Sequence, residues 1–198
     1  MPKVSDEHRA ARRDQILAAA LRCAAQEGFH KTTMAAVIRE SGMSAGAVYL
    51  YFRGKQDIIR ALAQTAIGAI ASTVTDLAEA EETVSPERAL EAAVRRVLEV
   101  SDDMGVELPR LALQAWAEAA RDAEIRELVH DEAQRIRDAW IAYARRAIAA
   151  GHVVEDADPE RVGESLMTMV PGFMLSRVVF DDIGPERYAA GLAELRRG

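Results

Sequence analysis

The sequence predicts an all-α protein: a small N-terminal helical module joined by a long helix to a larger helical body. Three observations predict it. Apolar residues recur at three- and four-residue spacing through most of the chain. Helix boundaries are marked by glycine at the ends and proline in the first turns. No stretch alternates apolar and polar residues as a half-buried strand would, and no repeat or low-complexity tract interrupts the pattern. At 198 residues, 49% hydrophobic and 29% charged, the chain can bury a substantial core.

Each helix can be justified in turn. Residues 9–27 place Ile16, Leu17, Ala20, Leu21 and Ala24 on one face, and Gly28 closes this first helix. Residues 33–41 form a short second helix, opened by Thr33, with Val37 and Ile38 inward and Gly42 at its end. Ser44 caps a short third helix, and a long fourth spans about 56–80. Later starts are signposted by Ser85-Pro86-Glu87, Leu108-Pro109, Asp158-Pro159-Glu160 and Gly184-Pro185-Glu186. Each puts proline where its missing N–H costs nothing. Residues 122–150 make a long amphipathic helix carrying Ile125, Leu128, Val129, Ile136, Trp140, Tyr143 and Ile148 on one side. About nine helices result, divided into a module at 1–55 and a body at 56–198.

Charge follows the same division. The net charge is −7, but residues 1–55 sum to +4 and residues 56–198 to −11. A basic module on an acidic body suits a nucleic-acid site whose remaining surface repels the phosphate backbone. The opening MPKVSDEHRAARRD has no apolar leader, and no run approaches the roughly 20 apolar residues that span a bilayer. A lone Cys23 allows no internal disulfide and, beside Ala20 and Ala24, reads as a core residue of a cytoplasmic protein. His8, His30, His130 and His152 have no metal-ligand spacing, and no nucleophile elbow, phosphate loop or paired-histidine motif occurs. The expectation is a protein with no enzymatic activity, metal, cofactor or membrane attachment.

The most informative stretch is SGMSAGAVYLYFRGK, residues 41–55. On a helix, Val48 and Phe52 fall on one face and point inward, while Ala45, Gly46 and Tyr49 fall on another. That second face is smooth except for one ring tipped with a hydroxyl. Glycine within a helix costs about 1 kcal/mol relative to alanine, so close approach to a surface is the reading for Gly46. Two short helices joined by Ser41-Gly42-Met43 make a helix-turn-helix, whose second helix enters the major groove of DNA with Tyr49 reaching a phosphate at its edge. Lys31 and Arg12 are either solvated charges or further DNA contacts, and Lys31 joins the candidate set.

Thr32-Thr33, Gly42-Met43-Ser44, Gly46, Tyr49, Tyr51-Phe52 and Lys55 resemble the N-terminal signature of the TetR family of bacterial transcriptional regulators. The resemblance covers about residues 10–60; beyond it, only helix number and order are similar. It implies a homodimer that binds a near-palindromic operator through paired helix-turn-helix units and is released by a small molecule. Carried onto this chain, Ser44, Ala45, Gly46 and Tyr49 would meet the groove and its edge, and Thr33, Tyr51 and Lys55 would hold phosphates. Ile38 and Ser41 stand where alanine is common in the family, and Gln56 where an acid is frequent.

The sensory site is read from bulky and adaptable side chains in the body. Met104, Trp116, Trp140, Tyr143, Met167, Phe173 and Met174 are the candidates for lining an apolar cavity, though any one of them could equally be core. Pro171 should bend its helix and free the carbonyl of Met167. Arg145-Arg146 reads as a wet helix face. The last two helices, about 159–180 and 185–197, carry Val162, Leu166, Phe173, Val178, Tyr188, Leu192 and Leu195, enough apolar surface to pair two subunits as a four-helix bundle. The alternative to a ligand-released repressor is a ligand-independent DNA-binding adaptor or architectural protein with a solid body.

Overall fold

The computed structural model describes residues 6–180 and 182–196; the side chains of Phe29, His30, Glu118, Leu128 and Arg196 lie outside that description, as does Arg197 at the expected end of the last helix. Among the described residues the chain forms nine helices and no strand. They are α1 (Asp6–Lys31), α2 (Met34–Ser41), α3 (Ala45–Tyr49), α4 (Lys55–Glu79), α5 (Pro86–Met104), α6 (Leu108–Ala119), α7 (Ala123–Ala149), α8 (Pro159–Val179) and α9 (Pro185–Arg196).

Local chemistry explains the boundaries. Gly28, at φ +82°, interrupts α1 in a conformation that only glycine adopts readily, and its carbonyl accepts the Thr32 hydroxyl at 2.9 Å. The Thr33 hydroxyl accepts from the Ala36 N–H at 3.2 Å, capping α2, and Gly42 ends that helix at φ +68°. Ser44 caps α3 by accepting from the Ala47 N–H at 3.3 Å. Asp122 and Asp158 cap α7 and α8 through the N–H groups of Glu124 and Glu160, each at 2.9 Å.

Two cores meet along α4. The N-terminal core gathers Ile16, Leu17, Leu21, Val37, Val48 and Phe52, and draws in Ile58, Ala61 and Leu62 from α4 and Leu111 from α6. The body core holds Ile70, Val74, Leu90, Val94, Val97, Trp140, Tyr143 and Phe173. The packing division therefore runs through α4, between Leu62 and Ile70, rather than at its start. α4 packs most extensively on α7, and α7 on α8. At the α7–α8 crossing Gly163 is buried so tightly that a Cβ there would stand 2.8 Å from the Cα and N of Ile141.

Two expectations are corrected. Arg146 is not a wet surface charge: its guanidinium donates to the carbonyls of Ala78 at 2.7 Å, Ala80 at 2.6 Å and Glu81 at 3.4 Å, in and just past the last turn of α4. Against the reading of the bare sequence, α4 is long and apolar enough, by length and composition alone, to cross a membrane. Here that apolarity serves both cores at once. Pro171 lies inside α8, which continues through it, and the Tyr188 hydroxyl of α9 donates to the Met169 carbonyl at 2.8 Å.

Candidate functional site

The helix-turn-helix is held in shape from behind. Gln15 of α1 donates to the Ser41 carbonyl at 2.8 Å, and Arg22 pairs with Glu40 at 2.6 Å, so α2 is strapped to α1 at two points. Ser41, buried where alanine is common, donates to the Ile38 carbonyl at 2.9 Å and accepts from the Met43 N–H at 3.3 Å. The serine thus ties the turn together. Val48 and Phe52 are fully buried beneath α3, and the Arg13 guanidinium lies 5.5 Å from the centre of the Phe52 ring.

With that side anchored, Ser44, Ala45, Gly46, Tyr49 and Leu50 face outward together. A Cβ on Gly46 would meet nothing within 4 Å, so no contact inside the chain demands glycine there. Thr33 and Lys55 border one small apolar depression with Met34 and Ile58, which makes them neighbours. Tyr51 packs half-buried against the N-terminal core, and Lys31 is exposed at the end of α1. Burial and the nearby Glu40 carboxylate push the Cys23 thiol up, away from thiolate reactivity.

A cavity of about 120 Å³ lies where the two cores meet. Leu21 of α1 and Ile59 and Leu62 of α4 form one wall; Ala63, Ala66, Ile67 and Ile70 continue it along α4. Met104, Leu108, Leu111, Ala112, Ala115 and Trp116 form the opposite wall, closed by Ile125, Val129 and Met174. Every lining side chain is apolar. Of the residues expected to line such a space, Met104, Trp116 and Met174 do. Trp140, Tyr143 and Phe173 do not: all three are fully buried in the body core, where Trp140 and Tyr143 meet edge to face at 5.8 Å and the Tyr143 hydroxyl donates to the Val84 carbonyl at 2.8 Å. Met167 also packs against that core and not on the cavity.

Comparison with known proteins decides the lineage. The sequence profile of the bacterial regulatory proteins of the tetR family matches residues 16–62, and that of the BetI-type transcriptional repressor C-terminal domain matches residues 86–195, more than half of the chain. The chain belongs to the TetR family. Its N-terminal part is 48% identical over 64 residues to the HTH-type transcriptional repressor Rv1474c of Mycobacterium tuberculosis, an alignment that takes in 32% of this chain and spans about a third (34%) of that repressor's length. Over 175 residues, 88% of this chain and 81% of the relative, it is 27% identical to the HTH-type transcriptional regulator BetI of Rhizobium meliloti. Its fold matches that of Salmonella enterica GusR with a TM-score of 0.73 at 22% identity, covering 98% of this chain and 96% of that one. It also matches SmeT, solved as a triclosan complex, with a TM-score of 0.72 at 23% identity over 92% and 88% of the two chains. As a TetR-family member the protein is a transcriptional regulator, and its outward α3 is the second helix of the family's helix-turn-helix.

Sequence reasoning missed two features of this TetR-family chain. The alanines of the cavity, Ala63, Ala66, Ala112 and Ala115, attract no notice in a search for large side chains. Nothing in the sequence marks Leu50, between two tyrosines, yet it is 84% exposed. On α8 and beyond, Leu175, Val179 and Phe180 are likewise exposed, together with Leu195 on α9. Leu166 and Phe173, expected on that outer surface, belong to the body core instead.

Proposed function

We propose that the protein is a homodimeric repressor that binds a near-palindromic operator in the bacterial cytoplasm and is released by a small, neutral, apolar or amphipathic molecule. The observation that carries this reading is the cavity shared by the two cores, with Leu21 and Leu62 of the N-terminal core, and Ile59 beside them on α4, on its wall. A ligand there touches the module directly. The operator contacts are Ser44, Ala45, Gly46 and Tyr49 at the groove, with Lys31, Thr33, Tyr51 and Lys55 toward the phosphates. The exposed apolar residues of α8 and α9 supply the face on which two subunits pair.

Size sets the mechanism. A dry cavity of about 150 Å³ accommodates benzene, so one of 120 Å³ is too small for a drug-sized molecule as it stands. A larger ligand binds only the state in which α6 and α4 have moved apart, and that difference in affinity is what shifts the equilibrium; equal affinity for both states would shift nothing. An apolar wall also selects against charge, since burying an unpaired ion is costly. A ligand-independent architectural role would need no such space, and a solid body would have favoured it.

The test uses the full-length protein and a duplex selected from random sequence. Triclosan, toluene and cyclohexane are titrated as neutral probes and benzoate as a charged control, following operator affinity and the emission of Trp116 at the cavity wall in a Trp140→Phe background. Neutral probes should lower affinity and alter emission over one concentration range, and benzoate should do neither. If no neutral probe changes either signal, the cavity is not the effector site.

A further inference from the structure

Direct readout in the major groove ordinarily uses Arg, Lys, Asn, Gln or an acid, whose side chains hydrogen-bond base edges. α3 has none of them: it reads AGAVY, between Ser44 and Leu50. The Ser44 oxygen accepts the Ala47 N–H in its cap, which leaves its O–H proton for a base edge, a contact serine makes with little preference among bases. Tyr49 carries its hydroxyl at the end of a ring, suited to the groove's rim. What the outer face offers instead is hydrocarbon. Leu50, 84% exposed, donates its N–H to the Gly46 carbonyl at 3.3 Å, so it stands one turn along from Gly46 on the same face. Ala45 is exposed beside them, and the missing side chain at Gly46 leaves the groove floor open to both.

The feature of a base pair that an apolar side chain can read in this groove is the thymine 5-methyl group. We propose that Leu50, assisted by Ala45, reads thymine methyl groups, so that each operator half-site carries thymine opposite Leu50. The inference rests on the reading that α3 enters the major groove, and it assigns base selectivity to a side chain that would otherwise be an unexplained exposed leucine.

The experiment replaces thymine with uracil, one position at a time, in the duplex selected by the wild-type protein. Uracil keeps every hydrogen-bonding group and removes only the methyl. Loss of one buried methyl contact should weaken binding about fourfold per half-site and about 15-fold when both half-sites are changed. The effect should be confined to one or two positions per half-site. Leu50→Ala should bind the thymine duplex more weakly, with an unchanged salt slope, and should lose most of the thymine–uracil difference. If wild-type protein binds the selected duplex but is indifferent to uracil throughout, or if Leu50→Ala keeps the full difference, the inference is overturned while the DNA-binding reading stands. Failure to select any duplex would sink both.

Discussion

Filling the cavity from inside separates its energetic role from its proposed role as a receptor. Ala112 lies on its wall, and Ala112→Leu adds three carbons directed at an apolar space of about 120 Å³. Two routes give the available stabilisation. At about 24 cal/mol per Å³ the whole void accounts for at most about 2.9 kcal/mol. Three newly buried carbons at about 0.8 kcal/mol each give about 2.4 kcal/mol. Fixing the leucine rotamer removes about 0.5–1 kcal/mol, and imperfect fit removes more, leaving a net gain near 1 kcal/mol. Urea unfolding at fixed protein concentration should register that gain, and the thermal midpoint should rise by roughly 2–4 °C. The same variant should bind operator as the wild type does and no longer respond to any neutral probe. A variant that loses more than about 1 kcal/mol of stability yet is released normally would refute the reasoning, because the void would be neither fillable nor the seat of the response.

Three further outcomes are expected. Gly163→Ala places a Cβ 2.8 Å from the Ile141 backbone, which cannot rotate away, so urea unfolding should show a net loss of about 1–3 kcal/mol despite alanine's better helix propensity. Lys55→Ala should weaken binding to all duplexes alike and reduce the salt slope by about one per subunit; an unchanged slope removes Lys55 from the phosphate contacts. Phe180→Asp combined with Leu195→Asp should give folded monomers in sedimentation and lose operator affinity, since both side chains are exposed in the single chain; dimers that persist would put the interface elsewhere.

The DNA-binding module was legible because its signals are local. Thr33 and Ser44 announce their caps, Gly42 its left-handed turn, and the inward spacing of Val48 and Phe52 leaves only one face for Gly46. The cavity was only partly legible, for a physical reason. Bulky side chains are where space is filled, and Trp140, Tyr143 and Phe173 accordingly form the packed centre of the body. Space is left where side chains are small, and Ala63, Ala66, Ala112 and Ala115 look in sequence like ordinary helix formers. Periodicity assigned α7 an apolar side but could not say that Ile125 and Val129 border a void while Trp140, further along the helix, is buried in the core. Nor could it reveal Gly163, whose significance depends on a backbone passing within van der Waals distance from another helix.

Arg146 gives α4 a fulcrum. Its grip on the carbonyls of Ala78, Ala80 and Glu81 clamps the far end of that helix to α7. At about 1.5 Å of rise per residue, Ile67 on the cavity wall stands about 16 Å from the clamp, and Lys55 at the DNA-binding end about 35 Å. The two arms differ roughly twofold, so an effector that displaces α4 by about 1 Å at Ile67 swings Lys55 by about 2 Å. Across a two-fold axis the swings of the proposed dimer's subunits add, to about 4 Å between recognition helices. One base-pair step along a DNA strand is about 3.4 Å. If the cavity is the effector site as proposed, a molecule that parts it by less than a bond length would carry the pair of α3 helices a full step out of register with half-sites spaced about 34–36 Å apart.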